Sequence, residues 1–195
     1  MKIKNISSGS SMLSSITLLL LLVLLPVLPG YAQAGKKNAV IHFKKHVVCP
    51  QFIAEGAAAG DVNNDGKEDI LAGNYWWQAP LWNRHLLHAD TLDPVPGYST
   101  SFINFCMDVN NDGWNDLVRF DQPGGICRWY KIPTNKPGLW RGYTILPNAG
   151  MESPALADVD GDGRMDLLCN DINTKQVIWL QPPTTKNDTV WNRHI

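Results

Sequence analysis

Residues 61–69 read DVNNDGKED, and the pattern returns as DVNNDGWND at 108–116 and DVDGDGRMD at 158–166. The copies start 47 and 50 residues apart, and each runs into apolar, strand-forming residues: Ile70-Leu71-Ala72, Leu117-Val118 and Leu167-Leu168. Ten of the chain's 18 acidic residues are aspartates of these three loops. Like charges packed that closely repel, so a chain that repeats the arrangement three times needs a positive partner among them. Counted from the first aspartate, positions 1, 3, 5 and 9 are Asp, Asn or Asp, Asp, and Asp, with Gly at position 6.

Such alternation supplies the donors of a calcium site, which takes six to eight hard oxygens at about 2.3–2.6 Å. On a tightly curled loop, side chains 1, 3 and 5 point inward, and glycine permits the positive φ that the curl requires. Position 7 offers its carbonyl, and position 9 returns from the next strand to close the shell. The candidate metal ligands are therefore Asp61, Asn63, Asp65, Lys67 and Asp69; Asp108, Asn110, Asp112, Trp114 and Asp116; and Asp158, Asp160, Asp162, Arg164 and Asp166. Lys67, Trp114 and Arg164 would contribute backbone carbonyls. The expectation is one Ca2+ per loop, three in total, with the third loop tightest because it offers four ligand carboxylates against three. An Asp/Asn/Gly-rich turn would account for one copy but not for three with the same ligand positions. An EF-hand does not fit. Position 12, a bidentate Glu there, is Ala72, Arg119 and Cys169 here, and the flanks read as strands.

Two further elements keep the same rhythm. An aromatic step ending in proline occurs at Trp77–Pro80, Tyr130–Pro133 and Trp179–Pro182. An aromatic-x-x-His/Tyr segment occurs at Phe43–His46, Trp82–His85, Trp140–Tyr143 and Trp191–His194. One unit then has about four short strands in roughly 50 residues, the size of a propeller blade. The fold expected is all-β: a partial β-propeller of about three four-stranded antiparallel blades. Trp191–His194 is read as the start of a fourth blade, so the region appears incomplete at its C-terminus. Open blade edges would then be available for self-association.

Lys2 and Lys4, a mostly apolar stretch from Ile16 to Leu28, and Ala32-Gln33-Ala34 have the layout of a secretory signal peptide over residues 1–34. Thirteen residues are too few to cross a bilayer core, which takes about 20. The repeat region is then residues 35–195, exported and without a membrane span after cleavage. Its location would be secreted, periplasmic or at the cell surface. Loss of the two lysines takes the net charge from -1 to -3. With no basic patch, nucleic acid is not an expected partner. Cys49, Cys106, Cys127 and Cys169 allow three disulfide pairings or none, and Cys106 and Cys169 lie in apolar strand-like runs.

On the Asp-x-Asp/Asn-x-Asp-Gly-x-x-Asp loops and the small-residue runs Glu55–Gly60 and Ser153–Ala157 before two of them, the chain resembles the FG-GAP or VCBS repeat family. These repeats form the blades of integrin-α-like β-propellers. The resemblance spans roughly residues 40–195 and implies one calcium ion in each acidic loop, held by the positions named above. The middle repeat departs from the pattern, with Asn104-Phe105-Cys106-Met107 in place of the small lead-in.

His46, His85 and His194 recur at one repeat position, as hydrogen-bonding strand residues would rather than members of a single catalytic site. No Gly-x-Ser-x-Gly, His-Glu-x-x-His or P-loop is present, so no catalytic residue is assigned. The long connection His88–Ser101 and Trp114 on the second loop are candidate partner surfaces, and Asn187-Asp188-Thr189 fits a glycosylation acceptor. The function expected is a secreted, calcium-binding propeller module that binds an extracellular glycan or protein. The alternative is the propeller part of a carbohydrate-active enzyme, of polysaccharide lyase or sugar-modifying type, with catalytic residues outside this chain.

Overall fold

The computed structural model describes residues 40–89, 97–134, 137–150 and 152–195. The expected signal peptide and the middle of the His88–Ser101 connection lie outside them. The chain divides into two units, Met1–Lys44 and Lys45–Ile195, and every strand described belongs to the second.

Alternating apolar residues and short turn-rich links give twelve strands and, among the described residues, no helix. The first sheet comprises β1 (Ala58–Gly60), β2 (Asp69–Ala72), β3 (Tyr75–Gln78) and β4 (Asn83–Leu86). The second comprises β5 (Ile103–Met107), β6 (Asp116–Phe120), β7 (Cys127–Lys131) and β8 (Arg141–Leu146). The third comprises β9 (Ala155–Ala157), β10 (Asp166–Asp171), β11 (Gln176–Gln181) and β12 (Asn192–His194). Each is an antiparallel meander paired in sequence order. Three successive four-stranded blades of a partial β-propeller are therefore present.

The phase of the repeat differs from the sequence-based expectation. Trp191–His194 is not the start of a fourth blade. Its residues Asn192–His194 form the outer strand of the third sheet, paired with β11 as Trp179↔His194, Leu180↔Arg193 and Gln181↔Asn192. The same partners recur as Trp76↔His85 and Trp129↔Tyr143. Cross-strand rings set this phase: they stack with centroids 4.3 Å apart in the first sheet, 5.0 Å in the second and 3.9 Å in the third. His85 and His194 stack on Trp76 and Trp179 and leave Nε2 buried without a hydrogen-bond partner. Phe43–His46 lies in no strand.

The second sheet is the filling of the stack. All of β6 is buried, and its side chains alternate between two cores. Leu117 joins Val62, Leu71, Leu87, Tyr130 and Trp140 toward the first sheet. Val118 and Phe120 join Trp129, Leu167, Cys169, Ile178 and Leu180 toward the third. Burying a side chain of this size is worth about 1.5–3 kcal/mol, so each blade depends on its neighbour for its stability. Gly60 belongs to the same packing: a Cβ there would lie 2.3 Å from Cys106 Sγ.

The four cysteines are free thiols. Burial pushes Cys106 up to about 12 and Cys169 up to about 11, so both are packing groups at neutral pH rather than nucleophiles.

Candidate metal centre

Each acidic loop occupies the same place, between the first and second strands of its sheet. The residue before the loop pairs with position 9 across the ladder: Gly60↔Asp69, Met107↔Asp116 and Ala157↔Asp166. Two residues per loop take positive φ. Position 6 is Gly66 (81°), Gly113 (86°) and Gly163 (88°), as the motif requires. Position 4 is Asn64 (57°), Asn111 (57°) and Gly161 (79°), a requirement not drawn from the sequence although Asn and Gly are the residues that tolerate it.

The first aspartate ties the curl together. Asp61 Oδ1 accepts from Asp65 N at 3.1 Å and Oδ2 from Gly66 N at 2.7 Å. Asp108 repeats this with Asp112 N (3.1 Å) and Gly113 N (2.8 Å), and Asp158 takes Gly161 N (2.7 Å) and Gly163 N (3.0 Å). Position 5 accepts from position 7 in all three: Asp65 from Lys67 N, Asp112 from Trp114 N and Asp162 from Arg164 N, at 3.0, 3.2 and 2.8 Å. A carboxylate oxygen has two acceptor directions, so one N–H per oxygen leaves room for a cation.

Position 9 distinguishes the loops. Asp69, Asp116 and Asp166 are all fully buried at the start of the second strand. Asp69 is satisfied on both oxygens, by Val62 N (3.2 Å) and Ala79 N (2.9 Å). Asp116 Oδ1 accepts from Ile132 N at 2.9 Å, whereas its buried Oδ2 has no well-formed hydrogen bond and the carboxylate has the Trp129 side chain beside it. Asp166 Oδ2 accepts from Val159 N at 2.9 Å, but its Oδ1 is bare because the residue at the place of Ala79 and Ile132 is Pro182, which has no N–H. Burial first, and the neighbouring aspartates after it, raise the carboxyls of Asp69 and Asp166 above the usual range and push Asp116 up to about 7.

In the third loop, one oxygen each of Asp158, Asp160 and Asp166 lie within 4.8 Å of one another. Ligands on a shell of about 2.4 Å radius span at most about that distance, so these three carboxylates can hold a metal ion. Among the described residues, this is the only such group of His, Cys, Asp or Glu. It depends on Asp160, because position 3 is Asn63 and Asn110 in the other loops. Asn110 is fully buried, donating Nδ2 to Lys186 O at 2.8 Å and leaving Oδ1 without a partner. Unpaired buried oxygens of this kind are costly unless something positive meets them. The donor set, hard oxygen throughout, fits calcium.

Position 7 side chains also reach neighbouring blades. Arg164 Nη2 donates to Val109 O (2.8 Å) and Pro183 O (2.7 Å). Trp114 packs against the core that contains Val62. Asn115 Nδ2 reaches Asp61 O at 2.9 Å, and Asn64 Nδ2 reaches Gly113 O at 3.2 Å. Beside Trp114, a cavity of about 660 Å³ opens between the first and second sheets, lined by Trp76, Ile132, Leu139 and Trp140 among others.

Residues 108–169, which hold the second and third loops, match the FG-GAP-like repeat, and residues 54–80, which hold the first, match the FG-GAP repeat. No curated protein and no solved structure matches the chain. The matched segments carry the acidic loop at one structural position, between the first two strands of a blade, and are repeats of the FG-GAP type.

Proposed function

We propose that this chain is a secreted, calcium-binding β-propeller module that binds an extracellular glycan or protein through the surface beside its loops. The observation that carries the metal half of the reading is the convergence of Asp158, Asp160 and Asp166, with Asp166 Oδ1 buried and unpaired. In each loop the side chains at positions 1, 3, 5 and 9 and the carbonyl at position 7 would hold one ion. Calcium supplies the charge that lets buried carboxylates ionise, and so couples local folding to binding. Its role is structural: it pins the first strand of a blade to the second.

The aromatic cavity supports the ligand half, since Trp76 and Trp114 line it and aromatic side chains suit a sugar or an apolar side chain. Export rests on the leader-like residues 1–34, and no helix among the described residues is long and apolar enough to cross a membrane. Self-association through uncovered sheet surface is part of the same reading; Val177 and Ile172 of the third blade are exposed.

A glycan array probed with the full chain in calcium, then in EDTA, tests the reading. Retention of one glycan class in calcium, reduced by Trp114→Ala, is expected. Equal, indiscriminate signal in both buffers and in the variant would contradict it.

A further inference from the structure

The last residue of the third strand touches the acidic loop in every blade, and its identity changes. In the third blade it is Gln181, whose Nε2 donates to Asp160 Oδ2 at 2.7 Å. In the first it is Gln78, whose side chain hydrogen-bonds Asp65. In the second it is Lys131, with Nζ 3.2 Å from Asp112 Oδ2. Strand register makes the three equivalent: they pair with Asn192, Asn83 and Arg141 on the fourth strands.

A neutral amide beside a ligand carboxylate orients it. An ammonium in the same place neutralises it and occupies one of its acceptor directions. Lys131 is held there by more than Asp112. Its Nζ also donates to Lys186 O at 2.6 Å and lies 5.8 Å from the centre of the Trp129 ring. Its side chain is only 23% exposed and that of Asp112 only 7%, so solvent screens the pair weakly. Lys67 in the first loop is a contrast. It lies 3.5 Å from Asp65, but its side chain is 49% exposed and can swing into water.

We infer that Lys131 is a resident cation of the middle loop, which keeps its curl without calcium and takes the ion only at concentrations well above those that fill the other two. A divalent ion on Asp112 would stand close to the ammonium and must displace it or bear its repulsion. The inference rests on the calcium reading above and adds to it an order of occupancy set by one side chain.

Equilibrium dialysis of the full chain in calcium buffers, with bound metal counted by atomic absorption, tests it. At free calcium that saturates the tighter class, the natural chain should hold about two ions, Lys131→Gln about three and Gln181→Lys about one; the affinity of each altered loop should change by about tenfold or more. Three equivalent ions in the natural chain, unchanged in both variants, would overturn the role of Lys131 and leave calcium binding standing. No bound calcium in any of the three would instead refute the calcium reading. Should Lys131→Gln fail to fold, Gln181→Lys decides alone: loss of an ion supports the inference, and full occupancy overturns it.

Discussion

The third and first acidic loops share a backbone yet use position 9 in opposite ways. Asp69 spends both oxygens on backbone N–H groups, joining Val62 at the start of its loop to Ala79 beyond the third strand. Asp166 spends only one, because Pro182 replaces the second donor, and its other oxygen is buried without a partner. One motif residue thus has an N–H on each oxygen in the first blade and an oxygen with none in the third. Conforming to the motif does not by itself say which carboxylates await a cation.

The contrast breaks most sharply under substitution. Asp69→Ala should strand two buried N–H groups and cost roughly 2–5 kcal/mol, with or without calcium. Asp158→Ala should cost little once calcium is chelated, but in calcium it should forfeit one site, worth about 2.7 kcal/mol at a hundredfold excess over Kd. Urea unfolding of both variants in calcium and in EDTA checks this. Equal calcium dependence of the two losses would erase the distinction between staple and ligand.

The middle loop sharpens it through pH. The Asp116 carboxyl rises from its ordinary 3.8 to about 7, chiefly through burial. In the chelated chain the folded state therefore keeps a proton that the unfolded state has lost across that window. Stability should be highest below the unfolded value and fall as pH rises from about 4 to about 7. Asp116→Asn should flatten the slope, and calcium, which favours the ionised form, should reverse it. Unfolding in EDTA at a series of pH values measures this; a chelated chain that gains stability over the window would refute the assignment.

The smallest effect concerns the recurring histidines. His194 stacks on Trp179 with planes 11° apart, and its Nε2 has no partner. His194→Phe should change stability by less than about 1 kcal/mol, whereas His194→Ala should lose about 0.5–1.5 kcal/mol. Thermal melts of both variants compare them, and a Phe variant as damaged as the Ala one would indicate a polar role.

Much of this was legible beforehand. The strands after each loop and the glycine at position 6 follow from local chemistry, and each loop lies between the first and second strands of its sheet. The phase of the blade was not legible, because in a repeating string each aromatic-x-x-His/Tyr segment both follows one acidic loop and precedes the next. Only the pairing of His85 with Trp76, Tyr143 with Trp129 and His194 with Trp179 assigns it to the blade before. The unequal roles of Asp69 and Asp166 depend on a proline 16 residues downstream of the latter, a link visible only once the strands are in register. Lys131 and the gluten of contacts made by Arg164 are hidden for the same reason: their partners lie 19 to 55 residues away in the chain.

The central claim is that the curled aspartate loops are cages for calcium that pin strand to strand. Thermal unfolding of the full chain, with calcium, after exhaustive chelation, and after calcium is restored, tests it most directly. Chelation should lower the melting temperature by several degrees or more, at about 2–8 °C per kcal/mol, and restored calcium should return it. Superimposable melts in all three conditions would contradict the account.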